Sequence, residues 1–380
     1  MAASSNIGAG TGPQHSQRNW RAIGLMSGTS LDGIDVAMIE TDGRHRVTPG
    51  PSLTVPYPTR FRERLRSVLG GIGPVAAVEA DLTELHADAV EHFLRRFRGT
   101  TVDVVGFHGH TILHRPAERR TWQIGDGALL ARRVGLDVVA DFRSADVAAG
   151  GQGAPLAPLF HAALVAALRK PLAILNIGGV ANVTWIGEAG EILAFDTGPG
   201  NALIDDWVHR HTGAVADIDG ALARAGRISV AHVARFLQDP FFDRRLPKSL
   251  DRDDFREVEP AGLSLEDGAA TLTEMTASAV AEAVRHFPAP PREWLVSGGG
   301  RHNPALMEAL CRLLAAGVRP VEAVGWDGDA LEAQAFAYPA VRSLEDLPLS
   351  LPSTTGVPQP TRGGRLFSPA VSDEGDKLGL

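Results

Sequence analysis

Three glycine-centred turns, each closing a short apolar run, restrict this chain more than any other feature of its sequence. The first is Ser27-Gly28-Thr29-Ser30, between Ala22–Met26 and Ile34–Ile39, with Asp32 and Asp35 close behind it. The second is Gly178-Gly179, which joins Leu172–Ile177 to Val180–Ile186. The third is Gly298-Gly299-Gly300, between the strand-like Trp294–Ser297 and a helical stretch from Asn303. Ile34, Val36 and Met38 alternate with Asp35 and Ala37, the period of a strand rather than a helix. Two strand–turn–strand units thus open the two halves of the chain, and a strand–turn–helix unit follows late. Strands and helices mix throughout, which predicts an α/β fold with two related domains.

Such turns have a chemical use. Phosphate oxygens accept from several N–H donors at once, and a missing Cβ lets the backbone come close. The hydroxyls of Thr29 and Ser30 add donors, and Asp32 or Asp35 could hold Mg²⁺ directly or through water. Taken singly, each turn is as well explained by an ordinary hairpin or loop. Neither Gly-x-x-x-x-Gly-Lys-Ser/Thr nor a Gly-x-Gly-x-x-Gly after the first strand occurs, which weighs against P-loop and Rossmann folds.

The rest of the chain is read more coarsely. Residues 1–19 are polar without an apolar period and are expected to be a disordered tail. Helical texture runs through Arg60–Leu69, Val75–Phe97, Gly127–Arg133, Leu156–Leu168, Ser264–Phe287, Asn303–Ala315 and Asp329–Ala337. Val102–Phe107, which leads into His108-Gly109-His110, and Leu136–Ala140 read as buried strands, and the end after about Gly363 as loose. If the strand continues, His108 and His110 face the same way. A net charge of -8 and 6% aromatic residues argue against a nucleic-acid footprint. No apolar stretch reaches the ~18 residues of a membrane span, and the start lacks the basic and apolar regions of a secretory signal. A cytoplasmic protein without membrane or nucleic-acid partners is expected. The single Cys311 excludes an intramolecular disulfide, and among Leu310, Leu313 and Leu314 it reads as a small core residue.

The order of the three turns resembles the actin-like ATPase and sugar-kinase layout, in which two hairpin turns grip phosphates and a late glycine turn sits by the adenosine. The resemblance narrows with longer segments: Gly24-Leu25-Met26-Ser27-Gly28-Thr29-Ser30-Leu31-Asp32-Gly33, Gly106-Phe107-His108-Gly109-His110-Thr111, Gln123-Ile124-Gly125-Asp126, Ala140-Asp141-Phe142-Arg143 and Ala149-Gly150-Gly151-Gln152-Gly153-Ala154-Pro155-Leu156. Leu175-Asn176-Ile177-Gly178-Gly179, Phe195-Asp196-Thr197-Gly198-Pro199-Gly200-Asn201, Ser297-Gly298-Gly299-Gly300 and Glu332-Ala333-Gln334-Ala335-Phe336-Ala337 follow in the same order. From about residue 22 to 366 the chain resembles the anhydro-N-acetylmuramic acid kinases.

That resemblance implies a two-lobed α/β fold, each lobe a mixed sheet flanked by helices, with the active site in the cleft between. Residues 20–142 with about 345–370 would form one lobe, and 143–344 the other. It implies an ATP- and Mg²⁺-dependent enzyme of peptidoglycan recycling. The enzyme would open 1,6-anhydro-N-acetylmuramic acid with water and phosphorylate O6, giving N-acetylmuramic acid 6-phosphate and ADP. Asp196 matches the family's catalytic aspartate. Gly28, Thr29, Ser30, Leu31, Asp32, Gly33, Ile34, Asp35, Gly178, Gly179, Gly298, Gly299 and Gly300 would bind the nucleotide and its phosphates. His108, His110, Thr111, Arg143 and Glu332 would face the sugar, and Asp32 or Glu332 the Mg²⁺. The resemblance also allows a homodimer.

The chemistry is coherent with those residue types. Water attacking the anomeric carbon needs a base, and a carboxylate at a strand end suits that role. The departing O6 is itself the nucleophile toward the γ-phosphate, so charge developing on it is consumed by phosphoryl transfer. Arg143 can bind a lactyl carboxylate bidentately. Two other classes compete. His108-x-His110-x-x-x-His114 also resembles a metal-ligand cluster, which would make a metal-dependent hydrolase. A sugar or nucleotide sensor with dead chemistry is the other, against which Asp196, Thr29 and Glu332 speak. Two residues depart from the family pattern. His110 stands where glutamine is expected and adds a titrating group. Pro339 is predicted to kink or end the helix that carries Glu332.

Overall fold

The computed structural model describes residues 18–28, 31–252, 254–255 and 257–369. Strands β1 (Trp20–Ser27), β2 (Gly33–Thr41) and β3 (Val47–Pro56) form an antiparallel meander. Strand β4 (Val104–Arg115) joins β1 in parallel, β5 (Arg120–Ile124) folds back on the outer half of β4, and β6 (Val138–Ala140) runs parallel to β4. Helices α1 (Thr59–Ser67), α2 (Val75–Arg96) and α3 (Gly127–Val134) cover one face of this sheet. In α2 the fully buried Val78, Leu82, His86, Val90 and Phe93 recur every three to four residues, one helical stripe turned to the sheet. Asp126 caps α3 by accepting from the Ala128 and Leu129 amides, and Gly135 ends it in the left-handed conformation.

Helices α4 (Ser144–Ala148) and α5 (Pro158–Leu164) lead to a second meander of β7 (Leu172–Ile177), β8 (Val180–Ile186) and β9 (Ile192–Pro199). Helices α6 (Ala202–Thr212), α7 (Ala221–Ala225), α8 (Val230–Phe236) and α9 (Leu265–Ala283) follow. Strand β10 (Glu293–Ser297) then pairs in parallel with β7, and after α10 (Pro304–Leu313) strand β11 (Gly317–Pro320) pairs in parallel with β10. The order β3-β2-β1-β4-β6 in one sheet is repeated as β9-β8-β7-β10-β11 in the other. This duplication is the expected two-lobed α/β fold; the two hairpins that open the halves lie inside their sheets, and β3 and β9 are the matching edges.

The chain then returns. Helix α11 (Leu331–Leu344) and the short α12 (Pro352–Thr355) precede β12 (Arg365–Phe367), which pairs antiparallel with β6. The end beyond Gly363, expected to be loose, therefore carries an edge strand. Helix α11, expected with the second lobe, lies instead on the first sheet. A Cβ at Gly24 would fall on the Ala333 carbonyl oxygen, and one at Gly106 on that of Phe336. The backbone of α11 thus rests directly on β1 and β4. The helix also continues past Pro339, so the proline does not end it. Burial of nearly every residue from Leu331 to Arg342 outweighs the one hydrogen bond that proline removes. The lobes share a core in which Phe160 of α5 and Phe336 and Tyr338 of α11 pack with Ala22 and Ile39 of one sheet and Leu172, Ile174 and Leu295 of the other. Cys311 is not in any core. It is exposed on α10, whose buried face is Leu306, Ala309 and Leu310.

Candidate active site

The parallel strands decide where chemistry can gather. The carboxyl ends of β1, β4 and β6 lie together at one edge of the first sheet, and those of β7 and β10 at one edge of the second. Backbone amides and loops leave the sheets there, which is where α/β proteins place ligands. Ser27, His108, His110 and Arg143 come from the first edge; Gly178, Gly179 and Gly298 come from the second.

At the first edge the turn between β1 and β2 is tight. The Leu31 amide donates to the Gly28 carbonyl (3.1 Å), and Leu31 takes a left-handed φ of 59°. Thr29 and Ser30 lie outside the described residues. The side chains of Leu31 and Ile34 are buried in the core of the first lobe, so those two residues offer a ligand backbone only. Gly33 pairs with Pro56, and a Cβ there would meet the Val55 carbonyl oxygen at 2.5 Å. Asp32 is exposed and Asp35 half-buried.

At the second edge two glycine turns touch. Asn201 braces Gly178-Gly179: its amide donates to the Gly178 carbonyl (2.8 Å) and its side chain to that of Ile177 (3.3 Å). Gly298 has φ +74°, and a Cβ there would lie 2.5 Å from Asn176 Oδ1 and 2.6 Å from the Ile177 oxygen. Only glycine fits both that conformation and that gap. Arg301 holds the late turn from behind. It donates to the Gly298 carbonyl (2.9 Å), Glu322 (2.8 Å) and Asp329 (2.8 Å), and is 8% exposed.

Asp196 stands near the end of β9. Its amide donates to the Lys248 carbonyl (3.0 Å), and its Oδ2 accepts from the Leu250 amide (2.7 Å). Burial pushes its carboxyl up to about 7, against the Leu250 hydrogen bond and the charge of Lys248. The same segment reaches the other lobe. Ser249 Oγ donates to Gln152 Oε1 (3.0 Å), and the next residue, Gly153, accepts at its carbonyl from Arg143 (2.7 Å). Asp196 and Arg143 are therefore held in one hydrogen-bonded frame.

The histidines of β4 are not arranged as expected. Gly109, at φ +71°, makes a bulge between the Leu25–Phe107 and Ser27–His110 pairs. The extra residue puts His108 and His110 on opposite faces. His108 stacks on Phe336 (4.3 Å between centroids) and accepts Arg143 Nε–H at its Nε2 (3.0 Å), which fixes its own proton on Nδ1, facing the Gly109 carbonyl. It is 4% exposed, and His110 is 0% exposed. His110 shares a hydrogen bond with Ser27 (3.0 Å), which also accepts from Tyr57 (2.8 Å). Burial pushes His110 down to about 4, so it does not add the titrating group expected near neutral pH. Both imidazoles thus lie beneath the cleft surface. His114 bonds Thr121 (3.0 Å), so the three histidines turn to three different partners. Among the described residues no group of three His, Cys, Asp or Glu side chains could hold a metal ion, and the hydrolase reading has no support. Thr111 is half-buried and accepts from Gln123 (3.1 Å).

Arg143 stays cationic, although burial brings it down to about 10. Glu332 is exposed in the first turn of α11. Surrounding protein and the carboxylates of Asp35 and Asp32 raise it, and Arg143 opposes the rise. Asp35 accepts from Thr54 (2.6 Å), and burial with the charges of Asp32, Asp329 and Asp327 pushes it up to about 6. This mutual repulsion is what a cation arriving with phosphates would relieve, although these three carboxylates do not by themselves form a group that could hold a metal ion. Gln152, Gly153, Lys248 and Leu250 were not foreseen as parts of the site. Gln152 and Gly153 lie in the Ala149–Leu156 segment that carries the family resemblance but was given no role; Lys248 and Leu250 carry no pattern.

The family model for anhydro-N-acetylmuramic acid kinase matches residues 20–369. Curated relatives carry the same name. The one from Paramagnetospirillum magneticum is 61% identical over 353 residues, 92% of this chain and 99% of its own length. That from Acidiphilium cryptum is 59% identical over 93% of this chain and 99% of its own, and that from Rhodospirillum rubrum 57% over 92% and 95%.

Proposed function

The chain belongs to the anhydro-N-acetylmuramic acid kinase family and is a kinase; from that premise we propose how its own residues carry the reaction on 1,6-anhydro-N-acetylmuramic acid. The observation that carries the reading is Asp196, a carboxylate at the cleft end of β9, buried enough to hold a proton near neutral pH and fixed by Lys248 and Leu250. It takes the proton of the water that attacks the anomeric carbon. A base with a pKa near the working pH is well matched to that task. Arg143 binds the lactyl carboxylate, and His108, bonded to its Nε, orients the guanidinium from below. Thr111 lies on the same strand and contacts the sugar. O6 leaves the anomeric carbon as it takes the γ-phosphoryl group, so one event yields N-acetylmuramic acid 6-phosphate and ADP, a step of peptidoglycan recycling.

The turns at Gly28–Asp35 and Gly178-Gly179 hold the ATP phosphates with backbone amides, and Gly298–Gly300 lies against the adenosine. Asp32, with Asp35 and Glu332 near it, holds the Mg²⁺. That ion supplies charge neutralisation at the transferring phosphoryl group. The protein acts in the cytoplasm; among the described residues no helix is long and apolar enough to cross a membrane. The test is to incubate the enzyme with ATP, Mg²⁺ and the anhydro sugar in ¹⁸O-water and analyse the product by mass spectrometry. A 6-phosphate carrying ¹⁸O at C1 is expected. An unlabelled phosphate, or none from folded, ATP-binding protein, overturns the coupled reaction.

A further inference from the structure

Lys248 is a buried cation that no step above uses. It is 6% exposed. Its ammonium donates to the carbonyls of Phe241 (3.2 Å) and Phe242 (3.1 Å). It lies 4.3 Å from the Phe241 ring centroid, 5.8 Å from that of Phe242 and 5.9 Å from that of Phe195, the neighbour of Asp196 in β9. Its direct partners are thus carbonyls and rings rather than a carboxylate. Burying an ammonium is costly, and carbonyl and ring contacts offset that cost only where they are aimed at it. The same residue's main chain holds Asp196: its carbonyl accepts the Asp196 amide, and two residues on, the Leu250 amide donates to Oδ2.

We propose that Lys248 is a positioning residue for Asp196: its caged side chain anchors the 248–250 segment against β9, and its charge holds Asp196 as the carboxylate that activates water. This rests on the base role given to Asp196. The charged groups around the pair are few. Arg285 and Arg244 act against the ammonium, while Asp243 and Asp196 favour it; burial with the two arginines brings Lys248 down to about 8, still charged at neutral pH. Asp254 acts against ionisation of Asp196. His286, edge-on to Phe195, is lowered by burial and then by Lys248 and Arg285.

The test is the pH profile of kcat/KM for the full chain and for Lys248→Met and Lys248→Arg, with thermal melts to show that each folds. Removing the charge is expected to move the acid limb upward by about one pH unit and to lower kcat/KM on that limb about tenfold, with the KM for ATP unchanged. The arginine variant keeps the limb in place. Adding Lys248→Met to Asp196→Asn costs no further activity, because the lysine acts through the aspartate. If the methionine variant does not fold, Lys248→Gln, which keeps a donor for the two carbonyls, carries the same expectation. An unmoved acid limb in a folded neutral variant, or fully additive losses, overturns the role of Lys248. Near-normal turnover by Asp196→Asn alone instead overturns the base reading beneath it.

Discussion

As the proposed base, Asp196 sets the pH behaviour expected of the enzyme. The base must be ionised to accept a proton, and burial places its carboxyl at about 7. Activity is therefore full above that pH and falls about tenfold per unit below it, a slope that kcat/KM against pH will show. Asp196→Asn keeps the shape and the Leu250 hydrogen bond but cannot take the proton. It should lower kcat by about 10²–10⁴-fold while the KM for ATP stays near normal. Near-normal turnover would remove Asp196 from the role. At this scale the sequence placed Asp196 near a strand end and Arg143 just past a strand, and both stand there. It misled where one residue changed the register. The bulge at Gly109 sends His108 and His110 to opposite faces, and strand alternation alone cannot show a bulge. Lys248, one of only three lysines in the chain, was invisible because its partners lie at Phe195, Phe241 and Phe242 and meet it only after folding.

Elements are held in place by close backbone contact, and glycines mark where. Helix α11 rests on β1 and β4 through Gly24 and Gly106, which brings Glu332 to the edge that carries the first turn. Gly106→Ala would drive a methyl group into the Phe336 carbonyl and should cost about 3 kcal/mol or more, since overpacking against backbone leaves nothing to yield. Gly317→Ala is the control: a Cβ there meets nothing within 4 Å, so urea midpoints should separate the two variants clearly. Gly298→Ala acts on the site itself. It combines a left-handed φ with contacts to Asn176 and Ile177, so the turn must shift and the KM for ATP should rise about tenfold or more. An unchanged KM would move the adenosine elsewhere. The hairpins and the late glycine turn were legible because period-two apolar runs and glycines are local signals. The passage of α11 through Pro339 was not, because burial along the whole helix decides it. Strand β12 was missed for the same reason: three residues gain their structure only from pairing with β6.

At the scale of the molecule the proposed site has no single owner. The first sheet supplies the Gly28–Asp35 turn and Arg143, and α11 on that sheet supplies Glu332. The second supplies Asp196, Gly178-Gly179 and Gly298–Gly300. One core, built on Phe160, Phe336 and Tyr338, joins both. A ligand that touches both lobes should stabilise them as a unit, raising the melting temperature by about 3 °C at 100 times its Kd. The two ligands divide the site differently. In the proposed reading ATP draws on the glycine turns of both lobes and has no need of Arg143, whereas the anhydro sugar needs Arg143 for its carboxylate. Arg143→Gln should therefore abolish the rise produced by the sugar while leaving that produced by ATP with Mg²⁺. Loss of both would mean that Arg143, bonded to His108 and Gly153, holds the frame of the cleft rather than the substrate. Retention of both would take the lactyl carboxylate away from this end of β6. Either result is read in one melting experiment on a variant whose guanidinium is replaced but whose strand pairing is untouched.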